Sequence, residues 1–411
     1  MLNELRERAG NPIRVGLVGA GAMGLGVAYQ VAKTPGMELA FIADLDLEAA
    51  RRAAQAAGGA AEIAIGEDAM SLLAGEGGAE IDVLVESSTA IGPAARYALA
   101  AIERGAHVVL MNAEVDLALG PLLSAAAERA GVVVTSDAGD QHGVLARMIE
   151  EIELWGFGIV QAGNMKGYLR RHALAHELEQ EAAARHLDLV QCCACTDGTK
   201  MNIEMALLSN ATGLVALVDG MEGPRCADVS EVPGLFDFAA YGDQGRVDYV
   251  LGAEPGGGVY VVGHCDDSLQ AQYLRYYKMG EPPYYLFYRP YHLCHIETPR
   301  AIAMAALHGR AVMRPVRGRV SDVYAYAKQD LAAGRVVEHG IGGDECYGMI
   351  RTCRGADAEQ GVPIAALEGA AGAKPRLLRE VPADRALVHA DIEIPDSELA
   401  RLLREQEALL R

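Results

Sequence analysis

One stretch constrains the fold more than any other: residues 13–46, IRVGLVGAGAMGLGVAYQVAKTPGMELAFIADLD. It reads as an apolar strand, a glycine turn, a helix, and a second strand ending at Asp44. Gly19, Gly21 and Gly24 form GxGxxG, with Ala20, Ala22 and Met23 between them. The first glycine permits a tight turn, the second lets backbone approach a pyrophosphate, and the third lets the helix pack on the strand. The phosphates then meet the positive end of the helix dipole. Asp44 stands twenty residues beyond Gly24, at a strand end, which completes the context the motif needs. Dinucleotide contacts are therefore expected from Gly19, Gly21, Ala22, Met23, Gly24 and Asp44.

Asp44 would take the two hydroxyls of the adenosine ribose. A 2′-phosphate would be repelled by Asp44 and again by Asp46, and no basic residue stands directly beside Asp44. NAD is expected over NADP. In the plainer reading Asp44 only caps the helix of LDLEAARRAAQAAG, and Arg51 or Arg52 folds back towards it.

The alternation continues through IDVLVESSTAIGPAARYALAAIERGAHVVLMNAEVDLALG and GVVVTSDAGDQHGVLARMIEEIEL. Strands alternating with helices imply an α/β fold with a Rossmann-type parallel sheet and ligands at the carboxyl ends of its strands. Glu86, Ser87, Thr89 and Asn112 fall at such ends and are expected to line the nicotinamide end. Helix capping is the competing role for Ser87 and Thr89.

A chain of 411 residues is too long for one typical core, so two or three domains are expected. Its formal net charge of −20 repels nucleic acid and anionic lipid, which excludes both as partners of the whole surface. Neither a secretory leader nor an apolar run of about 18 residues is present, so the cytoplasm is the expected compartment. The eight cysteines lack zinc-ligand spacing, and no metal is expected.

Past residue 156, FGIVQAGNMKGYLRRHA and LDLVQCCACTDGTKMN read as two strands that each run into a polar turn, ending at Lys166 and Lys200. Cys192, Cys193 and Cys195 are expected to pack within the second. A helix starting near Lys200 puts Lys200 and Glu204 one turn apart on the same side, with Asp197 at the turn entering it. A lysine near a carboxylate in a partly closed cleft can move a proton to or from a substrate hydroxyl. Lys200, Asp197, Glu204 and Lys166 are the catalytic candidates. The structural alternative is that Asp197 caps the helix while Lys200 pairs with Glu204.

A tyrosine-rich stretch, YLRYYKMGEPPYYLFYRPYHLCHIETPRAIA, carries Lys278, Arg289, His292, His295, Glu297 and Arg300. An i,i+3 histidine pair without a third ligand makes a weak metal site. The mixture of basic and aromatic groups suits an anionic or polyhydroxylated substrate, with Lys278, Arg289, His292, His295 and Arg300 as its contacts. Aromatic packing is the plainer role.

The nucleotide motif, the DGTK turn, YKMGEPPYYLFYRPYHLCHIETP and DLAAGRVVEHGIGGDECYGMI together resemble the homoserine dehydrogenase-like oxidoreductases with a C-terminal SAF domain, a group that includes deoxyxylulose-phosphate reductoisomerase-like enzymes. The resemblance implies a Rossmann domain over 1–155, an α+β substrate domain over 156–309, and a β-rich SAF-like module with a terminal helix over 310–411. By position Asp197 and Lys200 look like the family's aspartate and lysine pair. The family's further lysine would follow Asn112, where this chain has Ala113 and Glu114, a departure that counts against homoserine as substrate. The implied activity is hydride transfer between nicotinamide and a small polar hydroxy or keto substrate, with isomerisation, simple homoserine oxidation and a non-catalytic NAD sensor left as alternatives. A homo-oligomer is expected.

Overall fold

A computed structural model describes residues 1–59, 63–75, 80–185, 187–242, 244–369 and 373–410. The chain divides into two compact units. The first comprises Met1–Gly143, Leu293–Pro315 and Arg401–Arg411, and the second Val144–His292 and Val316–Ala400.

The first unit opens with α1 (Leu2–Glu7) and then alternates strictly: β1 (Ile13–Val18), α2 (Ala22–Lys33), β2 (Met37–Ala43), α3 (Leu47–Ala56), β3 (Ala64–Gly66), α4 (Ala69–Leu73), β4 (Val83–Glu86), α5 (Gly92–Glu103), β5 (His107–Leu110), α6 (Ala113–Ala130) and β6 (Val134–Ser136). Its six strands are parallel, in the order β3-β2-β1-β4-β5-β6. That order reverses between β1 and β4, the switch point at which doubly wound sheets bind ligands. Strands covered on both faces need unbroken apolar runs, and Val83, Leu84 and Val85 are fully buried. Asp46, not Asp44, caps α3 by accepting from the Glu48 amide. The buried face of α3 is Ala49, Ala50, Ala53 and Ala54, small enough to bring the helix close to the sheet.

Helix α7 (Gln141–Leu154) is followed by β7 (Gly158–Lys166), α8 (Glu179–Arg185), α9 (Leu189–Asp197), α10 (Thr199–Thr212), β8 (Arg246–Leu251), β9 (Val259–His264), α11 (Ser268–Tyr276) and β10 (Tyr284–Arg289). The second unit's main sheet is mixed, β10-β9-β7-β8, with only β7 and β8 parallel. After α12 (Cys294–His308) come β11 (Ser321–Ala327), β12 (Cys346–Thr352), α13 (Cys353–Ala358), β13 (Arg376–Leu377), β14 (Ile392–Glu393) and α14 (Glu398–Leu410). β11 pairs with β12 and β13 with β14, both antiparallel.

One expectation is corrected here. Residues 189–197 are helix, not strand. The Asp188 side chain accepts from the Gln191 amide to start α9, and Cys192 and Cys193 pack against Ala173, Leu178 and Ala182. A short apolar run is compatible with a buried helix as much as with a strand, and the N-cap decides it. The contiguous division at 155/156 and 309/310 also differs from the observed grouping. Ala301, Ile302 and Ala303 of α12 are buried in the same core as Leu17, Val27 and Val31, which returns that helix to the first unit.

Candidate active site

The glycine turn gives each of its three glycines a distinct steric reason. Gly19 has φ +89°, and a Cβ there would stand 2.6 Å from the Ser87 carbonyl carbon. At Gly24 a Cβ would lie 1.9 Å from the Gly19 carbonyl oxygen, so only glycine lets α2 seat against the turn. At Gly21 a Cβ would meet nothing within 4 Å. Gly21 and Ala22 are exposed and Met23 half-buried, at the start of a twelve-residue helix. The space left open at Gly21 fits a pyrophosphate against the first amides of α2.

Asp44 closes the turn from the other side. Its Oδ2 accepts from the Ala20 amide at 2.6 Å and its Oδ1 from the Asp46 amide at 2.8 Å. Each oxygen keeps a further lone pair for a ribose hydroxyl. Arg52 reaches Asp46 at 3.6 Å, while Arg51 pairs with Glu48. The Ser87 hydroxyl donates to the carbonyls of Val18 and Gly19, at 3.0 and 2.8 Å. Thr89 is exposed, and neither residue caps α5, whose N-cap is Ile91. Asn112 is buried: its Oδ1 accepts from the Val115 amide to cap α6 and its Nδ2 donates to the Ala90 carbonyl.

Buried acids stand along the same strand ends. Glu86, closing β4, is fully buried, with Oε1 accepting from the Ser88 amide and Oε2 without a hydrogen-bond partner among the described residues. Burial pushes its carboxyl up to about 7 against the opposing pull of Ser88. Asp137, just past β6, is likewise pushed by burial to about 7, against the Gly139 amide that pulls it down. Asp116 on α6 is raised to about 7 by burial while accepting from the Ser136 hydroxyl. The rule that ligands sit at strand ends would have found Asp137 in TSDAGD as readily as Glu86.

In the second unit the DGTK turn is the junction of α9 and α10. Gly198 takes φ +89° between the helices, and the Asp197 Oδ1 accepts from the Thr199 amide at 2.8 Å. The other Asp197 oxygen faces a second lysine: Oδ2 lies 2.9 Å from Lys328 Nζ, and neither side chain is exposed. Lys328 also donates to the carbonyls of Ala173 (3.0 Å) and Gly343 (2.7 Å) and lies 3.4 Å from Cys193 Sγ. Burial works against the Lys328 ammonium, but Asp197 and Cys193 more than offset it. Burial pushes the Asp197 carboxyl up against the pull of Lys328. The two directions oppose each other. An ammonium surrounded by acceptors, facing a carboxylate that also holds an amide, favours the charged pair.

Lys200, half-buried in the first turn of α10, donates to Gln191 Oε1 at 3.3 Å. Glu204 is buried one turn later and accepts from Asn164 Nδ2 of β7 at 3.4 Å. Lys166 ends that same strand, half-buried. Asn164, fully buried with its Oδ1 unpartnered among the described residues, and Lys328 are the polar groups that motif reading missed.

The tyrosine-rich stretch runs through both units. Lys278 lies exposed in the turn after α11, Arg289 ends β10 with its guanidinium 4.4 Å from the Tyr291 ring centre, and His292 Nδ1 is 2.8 Å from the Gly257 carbonyl. These three belong to the second unit. His295 and Arg300 belong to the first, where the His295 ring packs on Gly26 and burial lowers its pKa, while Arg300 is exposed.

Residues 19–136 match the family described as homoserine dehydrogenase, NAD binding domain, and residues 139–298 match oxidoreductase DRL, catalytic domain. Over these two segments the chain is similar to the homoserine dehydrogenase-like oxidoreductases. A search of curated proteins gave no significant match. Among solved structures, the chain is similar to a homoserine dehydrogenase from Thiobacillus denitrificans, with 15% identity, 85% of this chain and 94% of that chain covered, and a TM-score of 0.46. It is also similar to a myo-inositol dehydrogenase from Corynebacterium glutamicum ATCC 13032, with 16% identity, 62% and 65% coverage and a TM-score of 0.31. A biliverdin reductase from Synechocystis sp. PCC 6803 shows 18% identity, 40% and 49% coverage and a TM-score of 0.30. The chain thus spans about half to two thirds of the length of these last two. All three scores lie below 0.5, and the assignment stands on the two matched segments.

NAD is the cofactor of this oxidoreductase, and the open space at Gly21 together with the lone pairs of Asp44 accommodates it. Where the family's further lysine would follow Asn112, Ala113 and Glu114 are both buried. Among the described residues no helix is long and apolar enough to cross a membrane.

Proposed function

We propose that the chain catalyses NAD-dependent hydride transfer to or from a small polar substrate bearing a hydroxyl or carbonyl and an acidic or phosphate group. A bound nicotinamide would supply the hydride acceptor, and in the oxidising direction Lys200 would take the proton of the substrate hydroxyl. The observation that carries this role is the placement of Lys200 in the first turn of α10, held by Gln191 and one turn from the buried Glu204. Asn164 steadies Glu204, and Lys166 is a second cation on the same strand as Asn164. Asp197 acts only by fixing the α9–α10 junction. Lys278, Arg289 and His292 would draw the substrate's anionic end to the second unit. For an α-hydroxyketone the same groups would serve an isomerisation before reduction.

In this reading the residues from about 310 act as a SAF-like module, the compartment is the cytoplasm, and the exposed Tyr273, Tyr276 and Tyr277 of the α11 region pack in a homo-oligomer. The test is NAD reduction across hydroxy acids, sugar phosphates and homoserine, with Lys200→Met as the control. A panel in which Lys200→Met turns over the best substrate at the normal rate would remove the proton role.

A further inference from the structure

The second unit holds a cavity of about 200 Å³ beside the α9–α10 junction, with Asp197 and Gly198 in its lining. Met201 and Asn202 of α10 line it, whereas Lys200 and Glu204, one turn apart, share a different face of the same helix. Its apolar walls are Leu169, Met201, Leu251 and Met349. Asp197 adds to the wall, but its carboxylate is taken up by Lys328 and Thr199.

Two polar groups stand out in this lining. Arg171 is exposed, rests over the Tyr347 ring at 5.5 Å, and has no carboxylate within ion-pair distance among the described residues. Asp384, which its charge helps to hold low, is already bonded to His172 and Tyr347. Tyr249 has no hydrogen bond from its hydroxyl among the described residues, and its ring tip lies so close to Gly223 that a Cβ there would be 2.2 Å from the oxygen. Burial pushes the Tyr249 phenol up against the pull of Arg171 and Arg225, so both guanidiniums act on this hydroxyl. An apolar pocket with a few convergent polar groups is the usual form of a small-molecule site.

We infer that this cavity is a second ligand site, taking a small organic monocarboxylate whose charge is held by Arg171 and the Tyr249 hydroxyl and whose short apolar body fills the space between Leu169, Met201, Leu251 and Met349. A guanidinium fork matches a carboxylate in two parallel hydrogen bonds. A monoanion suits the site better than a dianion because Asp384 already shares the Arg171 field and the chain carries −20. The volume lies below the range of drug-sized pockets, which limits the body to a few carbons. Occupancy would bear on the first turn of α10 through Met201 and Asn202, the neighbours of Lys200.

The experiment is a titration of the full chain, labelled with 13C at the methionine methyls, with butyrate and 4-methylpentanoate, with the matching amides and inorganic phosphate as controls. Met201→Leu and Met349→Leu assign the two reporter signals. A saturable shift of Met201 and Met349, at least tenfold weaker for the amides and weaker for phosphate, is expected. Arg171→Gln should weaken carboxylate binding about tenfold with an unchanged thermal midpoint, and Tyr249→Phe should weaken it severalfold. Absence of saturation by either carboxylate, equal binding of acid and amide, or wild-type affinity in Arg171→Gln overturns the inference. NAD turnover does not enter this readout, so it fails or stands separately from the Lys200 assignment.

Discussion

Lys328 Nζ lies 2.9 Å from Asp197 Oδ2, with neither side chain reaching solvent, and this pair joins the α9–α10 junction to the end of β11. Removing one partner of a buried ion pair leaves an uncompensated charge, which costs about 3–5 kcal/mol. Lys328→Met and Asp197→Leu should each lose stability on that scale, and the double variant should recover part of it. Urea melts of the four proteins measure this. Additive losses in the double variant would show that the two side chains do not act as a pair.

Lys200→Met should lower turnover by roughly two to four powers of ten, the usual worth of a positioned acid or base. NAD affinity and the melting midpoint should stay as they were. Asp197→Asn gives the opposite pattern, a loss of stability with activity following the folded fraction. Steady-state kinetics and melts on the same preparations separate the two roles.

The glycine turn allows a cleaner split. Gly21→Ala adds a methyl to the open side of the turn, so it should fold normally and bind NAD at least tenfold more weakly. Gly24→Ala drives a methyl into the Gly19 carbonyl at 1.9 Å and should destabilise the first unit itself. Calorimetric titration beside differential scanning calorimetry reads both. Full NAD affinity in Gly21→Ala would place the pyrophosphate elsewhere.

Asp44 is expected to favour NAD over NADP by at least tenfold, a difference of about 1.4 kcal/mol. Asp44→Ala should narrow that gap while also loosening the Ala20 amide that Asp44 holds. Equal affinities in the wild-type chain would remove the ribose-binding role.

Glu86 provides a pH test. Its carboxyl is raised to about 7 in the folded chain by burial, whereas an unfolded glutamate titrates near 4.5. Between those values the folded state holds a proton that the unfolded state has lost, so this contribution is complete at low pH and disappears as pH rises through about 7. Glu86→Gln should therefore lie within about 1 kcal/mol of the wild type near pH 5. Near pH 8 it should exceed the wild type by roughly 3 kcal/mol, since each tenfold difference in proton affinity between the folded and unfolded chain is worth about 1.4 kcal/mol. Denaturant midpoints at the two pH values decide it.

The first half of the fold is legible because its signals are local. Strand, glycine turn, helix and acid lie within 34 consecutive residues, and the close approach of Gly24 to the Gly19 carbonyl falls within that range. The α9 helix passes for a strand because Leu189–Asp197 is apolar without clear periodicity, and only the Asp188 cap distinguishes the two. Lys328 is 131 positions from Asp197, and nothing in AYAKQD marks that lysine as buried. Within the tyrosine-rich stretch the chain passes from one unit to the other between His292 and Leu293, and no break in composition marks the passage.

Gln406 gives α6 a distant dependency. Pro121 interrupts that helix, and the Gln406 side chain spans the gap beside it, accepting from the Leu122 amide at 3.1 Å and donating to the Ala118 carbonyl at 2.7 Å. The two residues joined at Leu122 are 284 positions apart in sequence. During synthesis these two bonds of α6 form only after the segment carrying Gln406 has left the ribosome. A nonsense mutation just before Gln406 would thus leave its mark on a helix translated some 284 positions earlier.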